Sequence, residues 1–185
     1  GIYDRNRAFI QTISPSMDIL VSSNLERLLY YVSDKNHEKV AKWMRDLKQT
    51  GRYQIDEKTL NRIQSLFSCG SVDDKKTRQE IKNVYDRAKY VLDPHSAIAY
   101  SVAKENKDRP IVSLATASPY KFSQDVLVAL GYKEENAFIA MKKLNTFCQD
   151  PIPNQLNELQ NLQIKHQNVI EVNEMKDIVR KSMKE

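Results

Sequence analysis

The sequence predicts an α/β chain, and three observations support that class. Most segments repeat apolar residues every three or four positions, which is the spacing of one helix face. Residues 110–116 form a short apolar run, of the kind that a parallel sheet buries on both faces. Ser118 and Pro119 follow it as an N-cap with proline at the first helical position, so the strand is expected to lead into a helix.

Composition and charge limit the size of the domain and the partners that this chain is expected to have. The chain has 185 residues, 41% of them hydrophobic, which suits one domain or a domain with an insertion. No run is long enough to cross a membrane and no signal pattern is present, so the sequence predicts a cytoplasmic protein without a membrane partner. The net charge of +5 is spread among acidic residues without interleaved aromatics, which favours a solvated surface over a nucleic-acid interface.

The sequence contains no motif for metal or phosphate binding. Its two cysteines lie far apart and predict a reduced pair without metal ligands. The three histidines are equally dispersed: His37, His95 and His166. The four glycines are too widely separated to form a Gly-rich loop, so a phosphate cradle is expected outside this chain.

The first 33 residues predict a weak strand at 9–13, a polar loop at 14–18 and the first helix. Ser23 followed by Glu26 is a capping-box pattern, which marks a helix start. Behind it the apolar residues fall on one helix face: Leu25, Leu28, Leu29 and Val32.

Residues 34–90 predict a helical insertion. Helices are expected at 37–50, where Gly51 marks the end, at 57–67, and in a long segment that begins at Ser71. These segments have charged faces but no clustered carboxylates and no Ser/His/Asp arrangement. We therefore expect no catalytic residue in the insertion.

Asp93 and Pro94 predict the start of the next helix, with Asp93 as N-cap and Pro94 at the first helical position. His95 then lies in the first turn, where the helix dipole disfavours a charged imidazole. We expect its ring to be satisfied by a backbone neighbour.

Thr116 and Ser118 are the candidate binding residues of the predicted strand–helix unit. Open α/β sheets bind ligands at the carboxyl ends of their strands, beside helix N-termini. The alternatives are that Ser118 is only a helix cap, and that Thr116 is a buried hydroxyl bonded to a neighbouring carbonyl. Beyond this unit the sequence predicts helices at 134–148 and 155–163, a strand at 169–172 and a terminal helix capped by Asn173.

Three stretches carry a resemblance to a known family. They are S-P-S-M-D at 14–18 with S-N-x-E-R at 23–27, D-P-H-S-A-I-A-Y at 93–100, and L-A-T-A-S-P-Y-K-F at 114–122. In this order they resemble the C-terminal part of threonine synthase, of the longer bacterial and fungal type.

The resemblance implies an α/β architecture of pyridoxal-phosphate fold type II, similar to the β subunit of tryptophan synthase. Residues 1–33 and 91–185 would form the C-terminal part of the large cofactor-binding domain, and 34–90 the helical insertion. The implied activity converts O-phospho-L-homoserine and water into L-threonine and phosphate, with pyridoxal 5'-phosphate as cofactor.

The resemblance also implies roles for single residues. Thr116 would hydrogen-bond the pyridine nitrogen of the cofactor, and Ser118 stands beside it where the family usually has histidine. Asp18, Asn24 and Arg27 are substrate-binding candidates because they belong to the first motif.

The resemblance places the Schiff-base lysine and the phosphate loops upstream of this segment. We therefore expect no catalytic residue in these 185 residues, no activity from the segment alone, and the upstream part of the enzyme as its partner. The alternatives are a non-catalytic helical interaction module that reuses this fold segment and, more remotely, a nucleic-acid adaptor.

Overall fold

The computed structural model describes residues 1–106, 110–165 and 168–183, and the chain divides into two compact units, residues 1–152 and 153–185. His166 lies outside the described residues. The first unit contains β1 (Ile2–Asp4), α1 (Ser23–Val32), α2 (His37–Thr50), β2 (Arg52–Gln54), α3 (Glu57–Leu66), α4 (Asp74–Ala88), α5 (Pro94–Ala103), α6 (Ser123–Ala129) and α7 (Ala137–Leu144). The second unit contains α8 (Asn154–Glu158) and α9 (Met175–Ser182). Among the described residues, no helix has the length and apolar character of a membrane span.

A first core joins the two strands to α1, α2 and α3. β1 and β2 pair antiparallel, with Tyr3 opposite Tyr53, and the two rings stack with centroids 4.8 Å apart. The ring of Trp43 in α2 lies on Tyr53, with the two ring centroids 6.4 Å apart. Leu29 of α1 is fully buried in this cluster, so the first helix of the chain shares a core with the predicted insertion.

A second packing group forms around α4. This helix packs against α5 and α6, and α6 packs against α7. Arg78 of α4 binds Asp125 of α6 at 3.0 Å, and Glu80 of α4, whose side chain is only 8% exposed, binds Lys104 after α5. α4 lies inside the predicted insertion but packs on helices outside it, so the boundaries of that insertion stay a prediction.

Several helix boundaries are confirmed. α2 begins at His37 and ends at Thr50, and Gly51 caps it in the left-handed conformation with φ of 77°. Asp93 caps α5 by accepting from the backbone N–H groups of His95 and Ser96. Side-chain oxygens and glycine work here as local signals because each one satisfies backbone groups only two to four residues away.

Other boundary predictions are wrong. The N-cap of α1 is Ser22, without a side-chain cap, so the predicted capping box of Ser23 and Glu26 does not form. The cap of α4 is Asp73 rather than Ser71, because the Asp73 carboxylate accepts from the Lys76 N–H at 2.7 Å. The helix predicted at 134–148 is shorter, since Asn136 caps α7.

The strands predicted at 9–13, 110–116 and 169–172 do not form within this chain, since the only ladder among the described residues joins β1 and β2. A parallel strand is stable only between neighbours that bond its backbone and cover its side chains. The described residues offer no such neighbour to 110–116, where Val112 is 85% and Leu114 is 73% exposed.

Alanine substitutions at Gly51 and Gly131 can be compared to test how much the glycine at the end of α2 contributes to stability. Both have positive φ, at 77° and 92°, which costs an L-residue about 1–2 kcal/mol. A Cβ on Gly51 would also overlap the Asn6 side-chain amide, which donates to the Thr50 carbonyl, whereas a Cβ on Gly131 meets nothing. We expect Gly51→Ala to lower the free energy of unfolding by about 1 kcal/mol more than Gly131→Ala, because the Asn6 hydrogen bond is lost as well. Equal losses in urea denaturation would show that Asn6 moves away freely.

Candidate functional site

The 14–18 loop is closed by Asp18. Pro15–Met17 form one turn of 3-10 helix, and the Asp18 carboxylate folds back over it. It accepts from the backbone N–H and the hydroxyl of Thr12, each at 2.7 Å. The Thr12 and Ser14 hydroxyls lie 2.9 Å apart, which completes a compact polar cluster. Sequence reasoning missed Thr12, because its bonds to a side chain six positions away leave no local signal in the sequence.

The start of this loop is held by α4. Asp74, in the first turn of that helix, accepts from the Ile13 N–H at 3.1 Å, across 61 positions of sequence. Ile13 and Ser14 are 7% and 3% exposed, so the loop enters the structure through buried residues.

His95 joins the three sequence motifs. Its Nε2 accepts from the Ser16 N–H at 3.3 Å, in the first motif. Because Nε2 accepts, the ring proton lies on Nδ1, which donates to Asp93 at 3.0 Å, within the second motif. The ring centroid is 4.8 Å from that of Phe122, in the third motif. The prediction that a backbone group satisfies His95 is confirmed for Nε2, whereas the partner of Nδ1 is a side-chain carboxylate.

Asp93 is the buried acceptor beneath His95. It is 2% exposed and accepts from the backbone N–H groups of His95 and Ser96, from His95 Nδ1, and from the Ser96 hydroxyl. A buried carboxylate is stable only when its oxygens are bonded in this way. Asp93 therefore starts a helix and also orients an imidazole.

A cavity of about 460 Å³ opens beside this junction. Its polar lining comes from Arg7, Thr12, Ser14, Asp18, Ser71 and His95. The apolar lining includes Phe9, Ile10 and Met17, which are 52%, 69% and 67% exposed. Sequence reasoning missed Arg7, because nothing in its neighbourhood predicts that it faces the 14–18 loop.

Thr116 and Ser118 lie on the third motif. Thr116 is exposed and has no hydrogen-bond partner among the described residues, so the alternative of a buried, carbonyl-bonded hydroxyl is wrong. The Ser118 hydroxyl accepts from the Tyr120 N–H at 3.3 Å and starts a 3-10 turn, Pro119–Phe122, that runs into α6. The capping prediction for Ser118 is confirmed.

Tyr120 anchors the third motif to the end of α7. The ring is buried, and its hydroxyl donates to the Asp150 carbonyl at 2.6 Å and lies 2.7 Å from the Asn145 amide. Burial raises the pKa of Tyr120, and burial likewise raises the pKa of the neighbouring Cys148 thiol. A raised pKa disfavours the thiolate, which is the reactive form of a cysteine.

Asn24 and Arg27 lie apart from Asp18. They are exposed one turn apart on α1, where the Arg27 guanidinium donates to the Asn24 amide oxygen. Arg27 lines a separate groove between α1 and α2, of about 650 Å³, with Tyr30 and Tyr31. Of the three substrate-binding candidates, only Asp18 lines the cavity beside His95. Arg27 lines the other groove, and Asn24 lines neither.

Comparison with known proteins identifies the family. A family model of the C-terminal part of threonine synthase matches residues 96–181. The threonine synthase of Saccharomyces cerevisiae is 33% identical over 184 residues, covering 89% of this chain and 34% of that protein. The crystal structure of PLP-bound threonine synthase from Brucella melitensis superposes with a TM-score of 0.76 at 36% identity, over 98% of this chain and 36% of that one. This chain belongs to the threonine synthase family.

The threonine synthase comparison also confirms the fold class, the C-terminal part of a fold type II enzyme. The chain spans about a third of the length of the threonine synthases it matches. It is also 34% identical to human threonine synthase-like 1, over 74% of this chain and 19% of that protein. The roles of Thr116, Ser118, Asp18, Asn24 and Arg27 stay predictions.

Asp93 can be tested against another N-cap of the same chain. Asp93→Ala removes the cap and leaves two further donors, on His95 and Ser96, unsatisfied in a buried place. We expect it to lower the free energy of unfolding by about 2–4 kcal/mol. Asp73→Ala removes an exposed cap and should lower it by only about 0.5–2 kcal/mol. Urea denaturation measures both, and equal losses would mean that Asp93 does no more than cap its helix.

Proposed function

We propose that this chain is the C-terminal part of a pyridoxal-phosphate-dependent threonine synthase, which converts O-phospho-L-homoserine and water into L-threonine and phosphate. The observation that carries the proposal is the meeting of three threonine synthase motifs at His95, beside a cavity that Asp18 lines. The similarity to a PLP-bound threonine synthase over nearly the whole chain supports it. The cytoplasmic location predicted from the sequence remains part of this proposal.

The residues of this chain fit the pyridine end of the cofactor but not its phosphate end. Thr116 has an exposed hydroxyl without a partner among the described residues, so it is free to donate to a pyridine nitrogen. A neutral hydroxyl leaves that nitrogen less charged than a carboxylate would. Bound pyridoxal phosphate supplies an electron sink for the reaction. The dispersed glycines offer no cradle for its phosphate, which is expected upstream with the Schiff-base lysine.

The cavity beside His95 fits an amino-acid substrate with a phosphate group. Asp18 uses its oxygens toward Thr12 but keeps lone pairs that can accept from a substrate ammonium. Arg7 donates one N–H to the Ile19 carbonyl at 3.0 Å and keeps others for an anion. The proposed substrate roles of Asn24 and Arg27 rest on their motif alone.

The proposed partner is the remaining part of a threonine synthase. Segment 110–116 forms neither helix nor ladder, and its exposed Val112 and Leu114 would be covered as a strand in a larger sheet. A strand in that sheet would also hold Thr116 at its carboxyl end, next to the capped turn at Ser118.

A chimera tests the function. This chain replaces the aligned segment of the Saccharomyces cerevisiae enzyme, and phosphate release from O-phospho-L-homoserine is measured. We expect Thr116→Val in this chimera to lower turnover about 2- to 10-fold, since it removes one hydrogen bond but keeps the side-chain shape. Ser113→Ala, which removes another hydroxyl of the same segment, is the control and should leave turnover unchanged. If Thr116→Val changes neither turnover nor cofactor affinity, Thr116 is not in the site.

The 185-residue chain alone is expected to be inactive. Schiff-base chemistry needs a lysine amine whose pKa is lowered by its site, and most lysines here lie on exposed helix faces. Lys121, in the turn after Ser118, is exposed as well. The purified chain is incubated with pyridoxal phosphate, reduced with borohydride and mapped by mass spectrometry. One stoichiometric lysine adduct together with phosphate release would contradict the prediction.

A further inference from the structure

The 14–18 loop contains a backbone donor that its own turn cannot satisfy. The first N–H groups of any helical turn lack partners within that turn. Pro15 has no N–H, and Met17 and Asp18 donate to the carbonyls of Ser14 and Pro15 at 3.1 Å each. Ser14 makes no side-chain cap, so the Ser16 N–H is left for a partner elsewhere in the chain.

His95 supplies that partner from 79 positions away. Its Nε2 reaches the Ser16 N–H at 3.3 Å, and the bond requires a free lone pair on that nitrogen. Asp93 accepts from Nδ1 and so keeps the proton on the opposite side of the ring. The Phe122 ring, tilted by 57° at 4.8 Å, packs against the imidazole and restricts its rotation.

We propose that His95 is the positioning residue of the 14–18 loop. Asp93 orients the imidazole, the imidazole holds Ser16, and the loop then presents Asp18 to the cavity. In this scheme His95 touches no reacting atom and acts through the loop. The effect on the loop rests on the geometry of this chain, whereas an effect on turnover rests on the proposed function.

Two substitutions of His95 separate its two hydrogen bonds. The amide nitrogen of Asn lies near the position of Nδ1, so His95→Asn keeps the bond to Asp93 but is too short to reach Ser16. The amide oxygen of Gln lies near the position of Nε2, so His95→Gln keeps an acceptor for the Ser16 N–H. The two variants are therefore matched in polarity and differ in which bond survives.

Hydrogen exchange of the Ser16 amide in the 185-residue chain gives the direct readout. We expect exchange to become roughly five- to tenfold faster in His95→Asn and to change less than about twofold in His95→Gln. Amides of α2, which pack in the other core, should exchange unchanged in both variants. Equal Ser16 exchange in the two variants overturns the proposal.

A second measurement needs no substitution and stands even if a variant fails to fold. In 15N NMR spectra of the unsubstituted chain, we expect a protonated Nδ1 and an unprotonated Nε2 for His95. A proton on Nε2 overturns the proposal, since that nitrogen could then not accept from Ser16.

The chimera described above adds a functional readout. In the chimera, His95→Asn should raise the KM for O-phospho-L-homoserine more than it lowers kcat. The His95→Gln chimera should keep the KM of the unsubstituted chimera. An unchanged KM in His95→Asn overturns the positioning role in the reaction. A chimera that is inactive with the unsubstituted segment counts against the proposed function, while Ser16 exchange still decides whether His95 holds the loop.

Discussion

The candidate site depends on the hydrogen bonds that the buried Asp93 carboxylate accepts. Its oxygens satisfy the first N–H groups of α5 and also fix the ring of His95. Through that ring the carboxylate reaches Ser16 in the first motif and Phe122 in the third. Segments almost 80 positions apart in sequence are therefore aligned by one desolvated side chain, whose bonds are strong because they are charge-assisted.

α4 provides a second connection of the same kind. Asp74 turns to the Ile13 N–H, and one turn later Arg78 binds Asp125 of α6. The helix thus ties the entrance of the 14–18 loop to the element that follows the third motif. Both ends of the site are fixed to helices rather than to other loops, which keeps side chains within the tolerance that binding needs.

Local signals in the sequence predicted several helix boundaries of this chain. Contacts between residues that are distant in sequence could not be predicted from such signals. The bounds of α2 and the start of α5 could be predicted, because Gly51 and Asp93 act on backbone groups within the same turn. The strand predicted at 110–116 does not form among the described residues, because a ladder depends on partners that periodicity does not reveal. In the site, His95 was expected to find a backbone partner, but nothing local indicated that the partner is Ser16. The contribution of Asp74 was equally hidden, at a separation of 61 positions.

The open segment at 110–116 has a consequence for how this chain behaves among its own copies. Its apolar side chains are exposed, and no described residue occupies its backbone donors and acceptors in a ladder. Such a segment is a template for pairing with another extended chain, including a second copy of itself. Pro110 at its start has no N–H to donate to a ladder, which limits cross-β pairing there. Pro110 therefore works against pairing of this segment with a second extended chain.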